Sequence, residues 1–129
     1  MTMEILLIDD DAITNFVHQN IIESKLPGMP IKIFYNGQTA LDHICAHPET
    51  KFLVFLDLNM PIMNGWEFLE AIAPKIDTLQ VNIHVLTSSI DPRDHQITDA
   101  MPFVRSFLEK PLDENVLDRF ISDKIDQRE

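Results

Sequence analysis

The chain has 129 residues, 45% of them apolar and 24% charged, enough for one domain with one core and an ordinary solvated surface. Its 21 acids outnumber its 10 bases for a formal net charge of −11, which argues against nucleic-acid or anionic-membrane binding, because both call for a positive surface. No apolar run approaches the roughly 20 residues of a membrane span, the start MTMEILLIDD is not a signal peptide, and the lone Cys45 suits a reducing compartment. The cytoplasm is the expected location.

Glu4–Ile8 is a near-continuous apolar run and reads as a strand covered on both faces. It stops in three carboxylates, Asp9, Asp10 and Asp11. Ile13, Phe16, Val17 and Ile21 then share one face of a helix with a period near 3.6. Pro27, Gly28 and Pro30 make a turn, Ile31–Tyr35 reads as the second strand, and Leu41 and Ile44 mark a helix after the Asn36-Gly37 turn. The third strand, Phe52–Leu56, runs straight into Asp57 and the loop LNMPIMNG. Trp66, Leu69, Ala73 and Ile76 mark the next helix. Asn82–Leu86 reads as a strand interrupted by two polar residues, and a less regular helical stretch lies between Asp91 and Met101. Ser106–Glu109 is the last strand, and Val116, Leu117, Phe120, Ile121 and Ile125 stripe the final helix.

Strand and helix therefore alternate along the whole chain. That pattern predicts a doubly wound α/β domain, with a parallel sheet and helices on both faces, and right-handed crossovers constrain its topology. In open sheets of this kind, ligands sit outside the carboxyl ends of the strands. Asp9 and Asp10 end the first strand, Asp57 the third and Thr87 the fourth, while Lys110 follows the fifth, so one sheet edge is expected to gather all of them.

Carboxylates held this close repel one another, and a hard divalent cation removes the conflict. Mg²⁺ takes oxygen ligands and keeps several waters. Asp10 and Asp57 can ligate directly, Asp9 through water, and a backbone carbonyl just after Asp57 can complete the protein's share. Lys110 adds a compact positive charge and Thr87 a hydroxyl donor, and this set suits the charge of a transferring phosphoryl group. The carboxylate of Asp57 is then the nucleophile.

These motifs, the acidic pair Asp9-Asp10, LDLNMPIMNG around Asp57, LTSS carrying Thr87 and LEKPL carrying Lys110, stand in an order that closely resembles the receiver domain of two-component response regulators over nearly the whole chain. The resemblance implies a flavodoxin-like sheet of order 2-1-3-4-5. It implies that Asp57 accepts phosphate from a histidine kinase or a histidine phosphotransfer protein, in a two-component system or phosphorelay, and that Mg²⁺ is required. By the family's pattern Asp10, Asp57 and the main-chain carbonyl of Asn59 hold the metal, with Asp9 acting through water. Lys110 pairs with the acceptor carboxylate, Thr87 moves to bind the phosphate, Phe107 is the aromatic switch, and the Lys110–Pro111 bond is cis. The domain would catalyse only its own phosphorylation and dephosphorylation, and it would act as a monomer or a phosphorylation-dependent dimer. Departures from the pattern are small: a third acid in Asp9–Asp11, Ser88 where alanine is common, Ser89 after it, Glu109 directly before Lys110, and Phe107 in place of a tyrosine.

Taken singly, each of these residues has an ordinary role, as a helix cap, a turn residue, a surface lysine or a core phenylalanine; their joint occurrence at successive strand ends is what coincidence explains poorly. A haloacid-dehalogenase-type phosphatase also pairs an Asp nucleophile with Lys and Mg²⁺, but it keeps its metal-binding acids after the lysine, and no such motif follows Lys110. A non-phosphorylated pseudo-receiver acting as a binding module is the other alternative, and the complete residue set argues against it. Asp57-x-Asn59 begins like a calcium loop, yet Ile62 and Phe68 stand where Gly and Glu are needed. His18, His43, His47, His84 and His95 share no metal-ligand spacing and read as surface or satisfied polar residues. With the last helix ending near Ile125, output is expected through protein–protein contact, although the same residues also suit a domain excised from a longer protein.

Overall fold

In the computed structural model, residues 3–88, 91–112, 114, 115, 117 and 118 are described. Their elements, in chain order, are β1 (Met3–Ile8), α1 (Ala12–Lys25), β2 (Ile31–Phe34), α2 (Gly37–Ala46), β3 (Lys51–Leu56), α3 (Gly65–Ile72), a 3-10 turn (Ala73–Thr78), β4 (Gln80–Thr87), α4 (Pro92–Asp99) and β5 (Val104–Glu109). The strands form one five-stranded parallel sheet of order β2-β1-β3-β4-β5. This is the doubly wound arrangement that the alternating pattern predicts. Of the last helical stripe, Val116, Phe120, Ile121 and Ile125 lie outside the described residues, as does Ser89.

The apolar side chains of the strands divide between two layers. Leu6, Ile8, Phe52, Val54, Leu56 and Ile83 pack beneath Ala40, Leu41 and Ile44 of α2 and Phe68, Leu69 and Ile72 of α3. Ile5, Leu7, Leu53, Phe55 and Leu86 face the other way, against Ile22 of α1 and Leu112 and Leu117. Successive strand residues point to opposite faces, so a strand covered on both sides has to read as an uninterrupted apolar run. That is the physical reason β1 and β3 stand out in the sequence. β4 is longer at both ends than Asn82–Leu86, and β5 begins at Val104, because pairing with neighbouring strands extends both beyond their apolar centres. Among the described residues, no helix is long and apolar enough to cross a membrane.

Helix α1 departs from its sequence pattern. Ile13 and Phe16, expected on its packed stripe, are 74% and 64% exposed, Val17 is exposed and Ile21 half-buried. The face turned to the sheet carries Asn15, His18 and Ile22. The Asn15 side-chain NH2 and His18 Nε2 each find a backbone partner, which offsets part of the cost of burying them, while Asn15 Oδ1 has no partner among the described residues. The helix starts where Asp11 caps it, its carboxylate accepting from the Ile13 and Thr14 amides. Helices α2, α3 and α4 start on Asn36, Asn64 and Asp91, whose side chains accept from amides of the first turn. At Asn64 the cap is reciprocal, with Glu67 reaching back to the Asn64 amide. Pro74 cannot donate a helical hydrogen bond, and α3 passes into the 3-10 turn at that point.

Candidate functional site

The parallel register places the acids. Ile8 lies beside Leu56 across the β1–β3 pair, so the residues that follow, Asp9 and Asp57, leave the sheet side by side. Two backbone bonds hold this exit: the Asp9 amide donates to the Phe34 carbonyl at 3.0 Å, and the Asp57 amide donates to the Ile8 carbonyl at 2.9 Å. Asp9 and Asp57 are 4% and 6% exposed, while Asp10 faces solvent. Ligand oxygens of Asp9, Asp10 and Asp57 all lie within 4.8 Å of one another. Asn59, two residues after Asp57, is exposed, and its amide donates to the Asp57 carboxylate.

Lys110 closes the site from the far side of the sheet. Its backbone amide donates to the Thr87 carbonyl at 2.9 Å, which ties the end of β5 to the end of β4. Its ammonium bonds Asp9 Oδ2 and lies 3.5 Å from Asp57 Oδ1. Lys110 therefore pairs with Asp57 as expected, and with Asp9 more closely still. The Lys110–Pro111 peptide bond is cis. Thr87 is fully buried at the end of β4, and Phe107 on β5 is half-buried, its ring stacked on that of His95 from α4 at 5.2 Å between centroids.

Electrostatics act on Asp57 and Lys110 in particular. Burial pushes the Asp57 carboxyl above the ordinary carboxylate range, the neighbouring Asp9 charge pushes it further, and Lys110 offsets only part of this. Burial works to lower Lys110, but the bond to Asp9 and the charges of Asp57 and Asp9 outweigh it and hold the ammonium above its usual value. A buried carboxylate with a raised pKa beside two further acids fits a hard divalent cation bound through oxygen, as Mg²⁺ is. His18 lies close by and did not stand out in the sequence. Burial holds its imidazole below the usual value, the Lys110 charge acts in the same direction and Asp9 opposes. The only sequence signal for it is its place on α1, three positions after Asn15, on the face that proves to be covered.

Known proteins share both pattern and geometry. The family model "Response regulator receiver domain" matches residues 5–122. A two-component response regulator from Cytophaga hutchinsonii is 29% identical and superposes with a TM-score of 0.84 over 97% of this chain and 98% of its own. The Mn²⁺-bound form of a response regulator, 23% identical, superposes with a TM-score of 0.72 over 92% of this chain and 88% of its own. A protein-glutamate methylesterase/protein-glutamine glutaminase of Desulfotalea psychrophila is 34% identical over 70 residues, 53% of this chain and 18% of that protein's length. With the family model covering most of its length and the acids, threonine and lysine at one sheet edge, this chain belongs to the response regulator receiver domains.

Proposed function

We propose that residues 1–129 act as one phosphorylation-dependent switch in which Asp57 is the phosphoryl acceptor, working in the cytoplasm within a two-component system or phosphorelay. The observation that carries this reading is the convergence of Asp9, Asp10 and Asp57 with the Lys110 ammonium at the carboxyl edge of the sheet. In the transfer, an oxygen–phosphorus bond forms at an Asp57 carboxylate oxygen as the phosphorus–nitrogen bond to the donor's histidine breaks, and the leaving imidazole carries away the electron pair. Asp9, Asp10, Asp57 and the Asn59 carbonyl would hold Mg²⁺, a role supported by the oxygen-only donor set and by the Mn²⁺ that a structural relative binds. Bound there, the cation supplies charge neutralisation for the phosphoryl oxygens.

Lys110 sits where it can neutralise a further oxygen, and the Thr87 hydroxyl can donate at the same edge. Movement of Thr87 toward phosphate frees space behind it, and Phe107 turns inward, breaking its stack on His95 and reshaping the α4–β5 face. Phosphate biases this two-state equilibrium only by as much as it prefers one state. The domain turns over no substrate but its own acyl phosphate, and its output passes to a protein partner.

Incubation with acetyl phosphate and Mg²⁺ should add one phosphoryl group to the intact mass, with no gain in Asp57→Asn or without the cation. Phosphorylation persisting in Asp57→Asn would overturn the assignment.

The exposed side of α1 supplies the partner contact. Ile13, Phe16 and Val17 present an apolar patch on the helix that begins directly after the acids. A donor protein must bring its phosphohistidine to Asp57, so it has to cover this rim, and an apolar helix face on the donor would bury the patch. Phe16→Ser should slow transfer from the phosphorylated donor protein about tenfold, the effect of losing one aromatic anchor. Labelling by acetyl phosphate, which touches no such surface, should stay within twofold of wild type. Equal loss with both donors would remove α1 from the interface.

A further inference from the structure

His18 is 2% exposed on the covered face of α1, and its Nε2 accepts the Leu112 amide at 3.2 Å. This bond bridges 94 positions of sequence and reaches the segment that carries Lys110. Among the described residues, two backbone donors tether that segment, beside the Leu112 side chain packed in the core. Lys110 donates its amide to Thr87, Pro111 has no amide to give, and Leu112 donates to His18. The lysine is thus hung between the end of β4 on one side and α1 on the other.

Precision at the ammonium has to come from the backbone, because four rotatable carbons separate it from the chain. Asn15, one turn earlier on α1, donates to the Asp9 carbonyl at 2.9 Å and so fixes the acid that the ammonium bonds. Asn15 and His18 also line, with Asp9 and Asp57, the walls of a small cavity of about 10 Å³ directly under the site. Both ends of the Lys110–Asp9 pair therefore rest on the polar seam of one helix. An ordinary core position would be filled by an aliphatic side chain here, as Ile22 fills the next turn.

We propose that His18 is a positioning residue for phosphoryl transfer: as a neutral imidazole with its proton on Nδ1, it holds the Leu112 amide and thereby keeps the Lys110 ammonium between Asp9 and Asp57. It touches neither phosphate nor metal, and it acts through Lys110. The inference rests on the reading of Asp57 as phosphoryl acceptor.

The test compares wild type, His18→Leu, His18→Met and His18→Gln in the full chain. Gln carries an amide oxygen that can accept the Leu112 amide, whereas Leu and Met fill the space without a strong acceptor. With acetyl phosphate and Mg²⁺, the maximal phosphorylation rate should fall about tenfold in the Leu and Met variants, on the scale set by small misplacements of a catalytic group. His18→Gln should recover to within about threefold of wild type, while Mg²⁺ affinity changes by less than about twofold in all of them. In wild type, ¹⁵N spectra of the imidazole should show the neutral Nδ1–H tautomer at pH 7, a measurement that needs no variant to fold. A folded Leu or Met variant phosphorylating at the wild-type rate would overturn the inference, as would a Gln variant as slow as Leu, or an imidazole protonated on Nε2. If the wild type itself gains no phosphate, the assignment of Asp57 fails first, and this proposal falls with it.

Discussion

Asp57→Asn should raise the melting temperature of the magnesium-free protein by roughly 3–5 °C, about 1 kcal/mol for a domain of this size. The native state holds Asp57 buried against Asp9, and both burial and that charge disfavour its ionised form. A neutral amide of the same shape removes the conflict. Below the ordinary aspartate value of 3.8 the carboxyl is protonated folded or unfolded, and wild type loses nothing. As pH rises from there through the higher folded value, the unfolded chain ionises first, and the native state becomes less stable relative to it. The advantage of the Asn variant should therefore grow as pH rises through the folded value and vanish only as pH falls below about 3.8. Millimolar Mg²⁺ should reverse the ranking, because a cation at 100 times its dissociation constant adds about 2.7 kcal/mol to the state that binds it. Asn, one charge short, should gain much less. Thermal melts across pH, with and without Mg²⁺, read all of this; an Asn variant no more stable at pH 7 than at pH 4 would contradict it.

Gly65→Ala is the second change with a large expected effect. A Cβ on Gly65 would stand 2.7 Å from the Leu58 Cα and nearer still to the Asp57 carbonyl oxygen. Both obstacles are backbone, so neither can rotate away. The Gly65 amide donates to the Leu58 carbonyl at 3.0 Å, which shows how closely the start of α3 is laid against the exit of β3. Opening that contact should cost about 2–3 kcal/mol, the upper part of the range for overpacking a filled site. Because Asp57 itself has to shift, phosphorylation by acetyl phosphate should also slow in the fraction that remains folded. Urea denaturation and intact-mass time courses on the same samples separate the two effects. A variant with wild-type midpoint and rate would show that the loop has room which the structure denies it.

The order of elements, and the sheet edge at which the acids, Thr87 and Lys110 meet, are legible in the sequence. A strand covered on both faces has to be apolar throughout, so an acid at its end stands out, and Asp9 and Asp57 announced themselves in this way. Parallel winding brings the ends of β1, β3, β4 and β5 to one edge whatever the loops do, and Thr87 and Lys110 came with them.

What the sequence left open is decided by contacts between distant residues. The period of Ile13, Phe16 and Val17 identifies a stripe on α1 but cannot say whether the sheet or another molecule covers it. The sheet side went to Asn15 and His18, where the Asp9 carbonyl accepts from the Asn15 side-chain amide and the Leu112 amide donates to His18. The choice of Asp9 as the nearer partner of Lys110 likewise depends on where β5 ends relative to β1, two strands that do not touch in the sheet. Periodicity reports the chemistry along one element, whereas burial and pairing belong to the neighbours that folding brings to it, and a local pattern carries no record of them.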